Sequence, residues 1–347
     1  MKLVESFSDI LKETRYDTIA CDIYGVIHDG IKAYPHSKSA LTSLKHNGEH
    51  VVLLSNSTRL QDRLVSNMQS NFDISNTSFD KILSSGTLTK IFLRDMAECL
   101  EIGQVKQPGC HATARKQGQS TRMEPDVFAR TYLKTGKFFL AGDTEWQEPL
   151  YLSLAPTLTR VYDWEEIEFV LLGSIHGVDP VNKPVDPFNE TQVRQDYQPF
   201  LEACLERNVP IICANPDIFA PNGKHEDGST KFLICPGYVG QMYEEMGGQV
   251  LYFGKPFKSI YDYLVQKIAA SSDDSSSRRI ICVGDNVATD VKGATEAGLD
   301  VVMVMGGVHW EELKQAKDDQ QRMIIVEELC RVNDCKTPTY LMPLLKY

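Results

Sequence analysis

The chain has 347 residues, 42% of them apolar, and a formal charge of −11. This length fits two domains or one large one, with enough apolar content for a substantial core. The acidic balance, relieved by no basic run, excludes a general binder of nucleic acid or of anionic membranes.

No apolar stretch approaches the ~20 residues of a membrane span, and the N-terminus lacks a signal-peptide core. A soluble, cytoplasmic protein is therefore expected. The nine cysteines include no C-x-x-C pair and read as small buried hydrophobes in a reducing compartment. Cys330 and Cys335 lack the second pair that a zinc site needs.

In chain order, Thr18–Asp22 is a short apolar strand that ends in a carboxylate. Ser37–His46 has helical spacing and stops at Asn47-Gly48. Val51–Leu54 reads as a strand, Leu60–Met68 as a helix and Lys81–Leu83 as a strand. The middle adds strands at Phe138–Ala141, Ile167–Leu172 and Pro210–Cys213, with a helix over Pro199–Arg207. The last third returns to the opening rhythm: strand Val250–Phe253, helix Ser259–Ala270, strand Ile280–Val283, helix Val287–Ala297 and strand Val301–Met305. Gly103–Arg122 and Ser271–Ser277 read as polar surface loops.

Alternation of this kind predicts an α/β fold, a doubly wound parallel sheet interrupted by an inserted unit. The expected division is a Rossmann-like core from residues 1–88 and 236–347, with an inserted α/β cap over residues 89–235.

Four segments at expected strand ends carry chemistry: Asp22-Ile-Tyr24-Gly, Leu54-Ser55-Asn56, Gly254-Lys255-Pro and Gly284-Asp285-Asn-Val-Ala-Thr-Asp290. In open α/β sheets, ligands bind beyond the carboxyl ends of the strands. A carboxylate such as Asp22 can attack phosphorus, provided a cation lies between it and the phosphate. Asp22 and Asp285 can share Mg²⁺, joined by the backbone carbonyl of Tyr24, while Asp290 supports the ion or holds Lys255. Ser55-Asn56 offers a hydroxyl and exposed backbone N–H groups to phosphate oxygens. Lys255 supplies a point charge. Each segment alone has an ordinary explanation, such as a helix cap, a turn or a solvated lysine. The ordered set carries the inference.

The set resembles the haloacid dehalogenase-like hydrolase superfamily, in its class IIA, the nucleotide- and nitrophenyl-phosphatase-like group. Supporting segments are Ile82-Leu-Ser-Ser-Gly86, Cys213-Ala-Asn-Pro-Asp217, Gly237-Tyr…Gly247-Gly, Phe253-Gly-Lys-Pro and Gly306-Gly-Val-His-Trp-Glu-Glu312. The resemblance implies a Mg²⁺-dependent phosphatase acting on a small phosphorylated metabolite through an aspartyl-phosphate. Asp22 would be the nucleophile and Lys255 the catalytic cation. Ser55 and Asn56 would bind the phosphoryl group, and Asn215 and Asp217 would sit at the cap–core junction near the substrate. The metal would lie among Asp22, Tyr24, Asp285 and Asp290. Caps of this class often pair, so a homodimer through the cap is a further expectation of the resemblance.

Tyr24 departs from the pattern, because phosphatases of the superfamily usually carry a second Asp there as general acid and base. A phenol with a pKa near ~10 is poorly matched to proton transfer at neutral pH. His28 and, less strongly, Asp217 are the replacements in reach. The alternative function is a catalytically weak protein that binds a phosphorylated ligand or a protein partner. A nucleotide-cofactor enzyme is disfavoured, since neither G-x-G-x-x-G nor G-x-x-x-x-G-K-[ST] occurs.

Overall fold

The computed structural model describes residues 1–105, 107–178, 184–226, 229–269 and 279–347. It contains two seven-stranded sheets and a separate two-stranded hairpin. The first sheet runs, edge to edge, Lys2–Leu3, Tyr340–Met342, Asp300–Val304, Ile280–Gly284, Thr18–Asp22, His50–Ser55 and Lys81–Ser84. Every pairing in it is parallel. From Thr18–Asp22 the chain moves one way through His50–Ser55 and Lys81–Ser84. It returns after the insertion to build the other side from Ile280–Gly284 outward. The winding direction thus reverses beside Asp22, where a doubly wound sheet opens its crevice.

The second sheet runs Gln119–Met123, Ala112–Lys116, Val250–Tyr252, Ile211–Cys213, Phe169–Leu172, Lys137–Ala141 and Thr159–Arg160. Its first two pairings are antiparallel and the rest parallel.

The structure departs from two expectations of the sequence. Gly103–Arg122 is not wholly loop, because Ala112–Lys116 and Gln119–Met123 form an edge hairpin. The outer strand is exposed along most of its length, so it keeps polar side chains and shows no apolar signal. The return to the core at residue 236 is also too early. Helix Pro236–Glu245 packs on the second sheet, and Val250–Tyr252 pairs within it. A short strand buried on both faces fits either sheet by composition, and only its nonlocal partners decide. The expected loop Ser271–Ser277 lies outside the described residues.

Residues alternate between apolar layers, as the two-residue period of a strand requires. Ile19, Cys21, Val51, Leu53, Ile281 and Val283 face an outer layer with helices Ser37–Asn47 and Gln61–Phe72. Ala20, Val52, Leu54 and Cys282 face a middle layer that continues without a break to Phe169, Leu171, Ile212 and Leu251 of the second sheet. Helix Ser85–Ile102 lies in this middle layer through Leu88, Phe92, Leu93 and Met96. The other face of the second sheet, with Val170, Leu172, Ile211 and Cys213, packs against helix Glu190–Glu206. Eight of the nine cysteines are buried and none is in a disulfide. No helix of the described residues is long and apolar enough to cross a membrane.

Candidate active site

Strand register brings the chemical residues together. Cys21 pairs with Val283 and Asp22 with Leu54. The ends of three adjacent parallel strands therefore place Asp22 next to Gly284-Asp285 on one side and Ser55 on the other. Lys255 arrives differently. It follows Val250–Tyr252 of the second sheet and enters as the chain crosses between the sheets. Gly254 permits that crossing with φ +88°, and a Cβ there would lie 2.5 Å from Asn56 Oδ1.

Lys255 Nζ donates to Asp22 Oδ1 at 2.5 Å and to Asp290 Oδ1 at 2.7 Å. All three side chains are buried. The two carboxylates hold the lysine pKa above its ordinary value despite the opposing effect of burial. Asp290 Oδ2 accepts from Asn286 N at 3.2 Å and from Thr289 Oγ1 at 3.4 Å. Both of its oxygens are thus occupied, as suits a residue that fixes the lysine. It sits in a π-helical turn, Val287–Val291, at the mouth of the preceding strand.

Asp285 Oδ2 accepts from Val308 N at 2.6 Å. A Cβ at Gly25 would come within 1.9 Å of that oxygen, and one at Gly307 within 2.1 Å. Glycine on both sides therefore leaves the carboxylate its place. Burial, with Asp290 nearby, pushes the Asp285 carboxyl up to about 7. Burial likewise raises Asp22, opposed in part by Lys255.

Carboxylate oxygens of Asp22, Asp285 and Asp290 all lie within 4.8 Å of one another. That is close to the ~4.2–5.2 Å between opposite ligands on one oxygen-coordinated divalent ion. If all three are ionised, their charge of −3 against one ammonium leaves −2 in a buried site. A divalent cation matches this excess, so the donor set fits a hard metal ion.

Ser55 Oγ accepts from Ser57 N at 3.2 Å, which leaves its proton free to point elsewhere. The Asn56 side chain is committed to structure. Its Oδ1 accepts from Lys255 N at 2.8 Å, and its Nδ2 donates to Lys255 O at 2.9 Å and to Asp217 Oδ1 at 2.7 Å. Only its backbone N–H remains for a phosphate. Asn215 Oδ1 accepts from Asp217 N at 3.0 Å, so it orients Asp217.

These groups open on a cavity of about 320 Å³ between the sheets, lined by Asp22, Tyr24, Ser55, Asn56, Lys255 and Asp285. Asn215 and Asp217 line it as well. Tyr24 therefore faces the site. Burial raises its phenol, opposed by the Arg59 guanidinium beside it. His28 does not reach the cavity. Its ring stacks on Phe72 at 3.8 Å, and its Nδ1 accepts from Gly30 N at 3.0 Å. Burial lowers its pKa to about 4, so it is a core histidine.

Sequence reasoning missed a further part of the cavity wall. The Arg59 guanidinium lies 4.4 Å from the Trp146 ring centroid, and Trp146 meets His176 edge-on at 5.1 Å. All three line the cavity. Arg59 had a signal, since it directly follows Ser55-Asn56-Ser-Thr. His176 follows the strand Phe169–Leu172, so the strand-end rule applied to the second sheet would have found it. Trp146 had none.

Two family models match this chain. One described as haloacid dehalogenase-like hydrolase covers residues 19–120, and one described as HAD-hydrolase-like covers residues 252–331. The chain belongs to the haloacid dehalogenase-like hydrolases. Over 99 residues this hydrolase-family chain is 30% identical to dihydroxyacetone phosphatase of Corynebacterium glutamicum (strain R), a match covering 28% of this chain. That match spans 32% of the curated relative. A haloacid dehalogenase-like hydrolase from Brucella suis 1330 aligns with a TM-score of 0.67 and 24% identity, covering 99% of this chain and 100% of that one. A p-nitrophenyl phosphatase from Archaeoglobus fulgidus aligns with a TM-score of 0.58 and 20% identity, covering 95% and 97%. Both structures bear on the fold of this family member.

Proposed function

We propose that the protein is a Mg²⁺-dependent phosphatase for a small phosphorylated metabolite. The observation that carries this reading is Lys255, bonded to two buried carboxylates beside a third at the winding switch of the sheet. In this reading Asp22 attacks phosphorus and forms an aspartyl-phosphate as the ester oxygen leaves. The Ser55 hydroxyl and Asn56 N–H hold phosphoryl oxygens. Lys255 offsets the negative charge of both reactants and keeps Asp22 in place. Asp22, Asp285 and the Tyr24 carbonyl would hold Mg²⁺, with Asp290 fixing Lys255. The ion would lessen repulsion between carboxylate and phosphate dianion. Asn215 and Asp217 shape the substrate side. The phosphatase name of the curated relative and of a structural neighbour supports the same substrate class.

The test is phosphate release from a panel of esters with Mg²⁺. Asp22→Asn is expected to reduce the rate by more than about 10³-fold. Equal release by this variant would overturn the reading.

Tyr24 favours a second reading, a site that binds a phosphorylated ligand with little turnover. On that reading Tyr24→Asp raises hydrolysis of an alkyl phosphate by about 10²-fold or more, and an unchanged rate removes its basis.

A further inference from the structure

Expelling an alkoxide requires a proton, and the residue that usually provides it is a tyrosine here. Among the described residues, the carboxyl groups lining the cavity are Asp22, Asp217 and Asp285. In the phosphatase reading Asp22 is the nucleophile, held by Lys255, and Asp285 would ligate Mg²⁺. Asp217 remains. Among the described residues it is the one cavity carboxyl that the second sheet contributes, from the segment after strand Ile211–Cys213. Nucleophile and leaving oxygen stand on opposite sides of phosphorus in an in-line displacement. With Asp22 attacking from the first sheet, the leaving oxygen departs toward the second, where Asp217 is held.

The way Asp217 is held suits the task. Asn56 Nδ2 donates to its Oδ1, and its own N–H is fixed by Asn215. No described residue donates to Oδ2, so that oxygen can carry a proton toward the cavity. Lys255, Asp290, Cys213 and Cys235 are the charged and titratable groups around it. Burial pushes its carboxyl up to about 6, against the pull of Asn56 and Lys255. A group with this pKa is matched to general acid and base work near neutral pH.

Building on the phosphatase reading, we propose that Asp217 performs the proton transfers that Tyr24 does not. In the first step an Asp22 oxygen bonds to phosphorus and the ester P–O bond breaks. The Asp217 carboxyl gives its proton to the departing oxygen, releasing the alcohol. In the second step the Asp217 carboxylate takes a proton from water. The water oxygen bonds to phosphorus as the Asp22–phosphorus bond breaks, which frees inorganic phosphate and restores both residues.

The experiment compares ethyl phosphate, whose leaving alkoxide needs a proton, with p-nitrophenyl phosphate, whose leaving group does not. In Asp217→Asn, kcat/KM for ethyl phosphate should fall 10²–10⁴-fold. That for p-nitrophenyl phosphate should fall less than about tenfold. The variant should also release a burst of one nitrophenolate per chain, since water is no longer activated. Equal losses on both esters, or no loss, overturn the assignment. If the variant does not fold, the wild-type pH profiles decide. Only ethyl phosphate should lose kcat/KM as pH rises through Asp217's range, and coincident profiles reject the role. Should the wild type release no phosphate from either ester above an Asp22→Asn control, the phosphatase reading fails and the assignment with it.

Discussion

At residue 28 the fold has removed a histidine from chemistry by placing it against an aromatic ring. The imidazole stacks on Phe72 and accepts from Gly30, and burial holds its pKa at about 4. The unfolded chain binds that proton near pH 6.5, whereas the folded chain resists it until about pH 4. Between these values the unfolded state carries more protons, so stability falls as pH falls through this window. The expected loss is about 3 kcal/mol by the lower end. Urea midpoints at pH 7.5 and 4.5 check it. His28→Gln should lose less than the wild type over that interval, and identical losses would contradict the account. The sequence showed that a histidine follows Asp22 in the next loop but gave no sign of its ring partner, since Phe72 lies 44 positions away. Asn56 illustrates the same limit. Its place after Ser55 was legible, yet its side-chain partners Asp217 and Lys255 come from distant segments.

At the scale of elements, helix Ser85–Ile102 begins against the loop that carries Ser55 and Asn56. Gly86 N donates to Ser57 O at 3.0 Å, and a Cβ on Gly86 would lie 1.8 Å from Thr58 O. Two effects oppose each other in Gly86→Ala. Helix propensity favours alanine by up to about 1 kcal/mol. Overlap with a backbone carbonyl forces helix and loop apart, at a cost of about 1–3 kcal/mol. The overlap is with backbone, so sterics should win and the variant should be less stable. Its KM for a phosphate ester should rise as the loop shifts. Denaturant midpoints and steady-state kinetics check both, and a more stable variant would show that the loop yields freely. The segment Ile82–Gly86 stood out in the sequence, as did the core strands with their carboxyl-end residues. Strands buried in a parallel sheet must be apolar along their length. The edge hairpin Ala112–Met123 was not legible, because an edge strand needs only one buried face or none. The sheet that claims Val250–Tyr252 was not legible either, since pairing with Ile211–Cys213 is a nonlocal choice.

Across the whole molecule, the apolar layer between the two sheets is continuous, so the inserted unit has no core of its own on that face. Phe92 stands in it fully buried, edge-on to Phe253 at 5.3 Å and to Phe128 at 6.1 Å. Those neighbours belong to the crossing segment and to the helix Pro125–Tyr132, which packs on Ser85–Ile102. A cavity at Phe92 therefore loosens both sheets at once. Phe92→Ala should cost about 3–5 kcal/mol and leave a single cooperative transition. Amide hydrogen exchange reads this directly. Peptides covering His50–Ser55 and Phe169–Leu172 should lose protection by the same amount in the variant. Protection lost at Phe169–Leu172 alone would mean that the sheets open independently. The contact between Lys255 and Asp22 gives the shared layer its consequence. Lys255 enters from the second sheet and Asp22 from the first, so their contact exists only while the two remain docked. If the sheets unfold as one unit, weakening the layer should lower activity only in proportion to the unfolded fraction, with KM unchanged among the folded molecules.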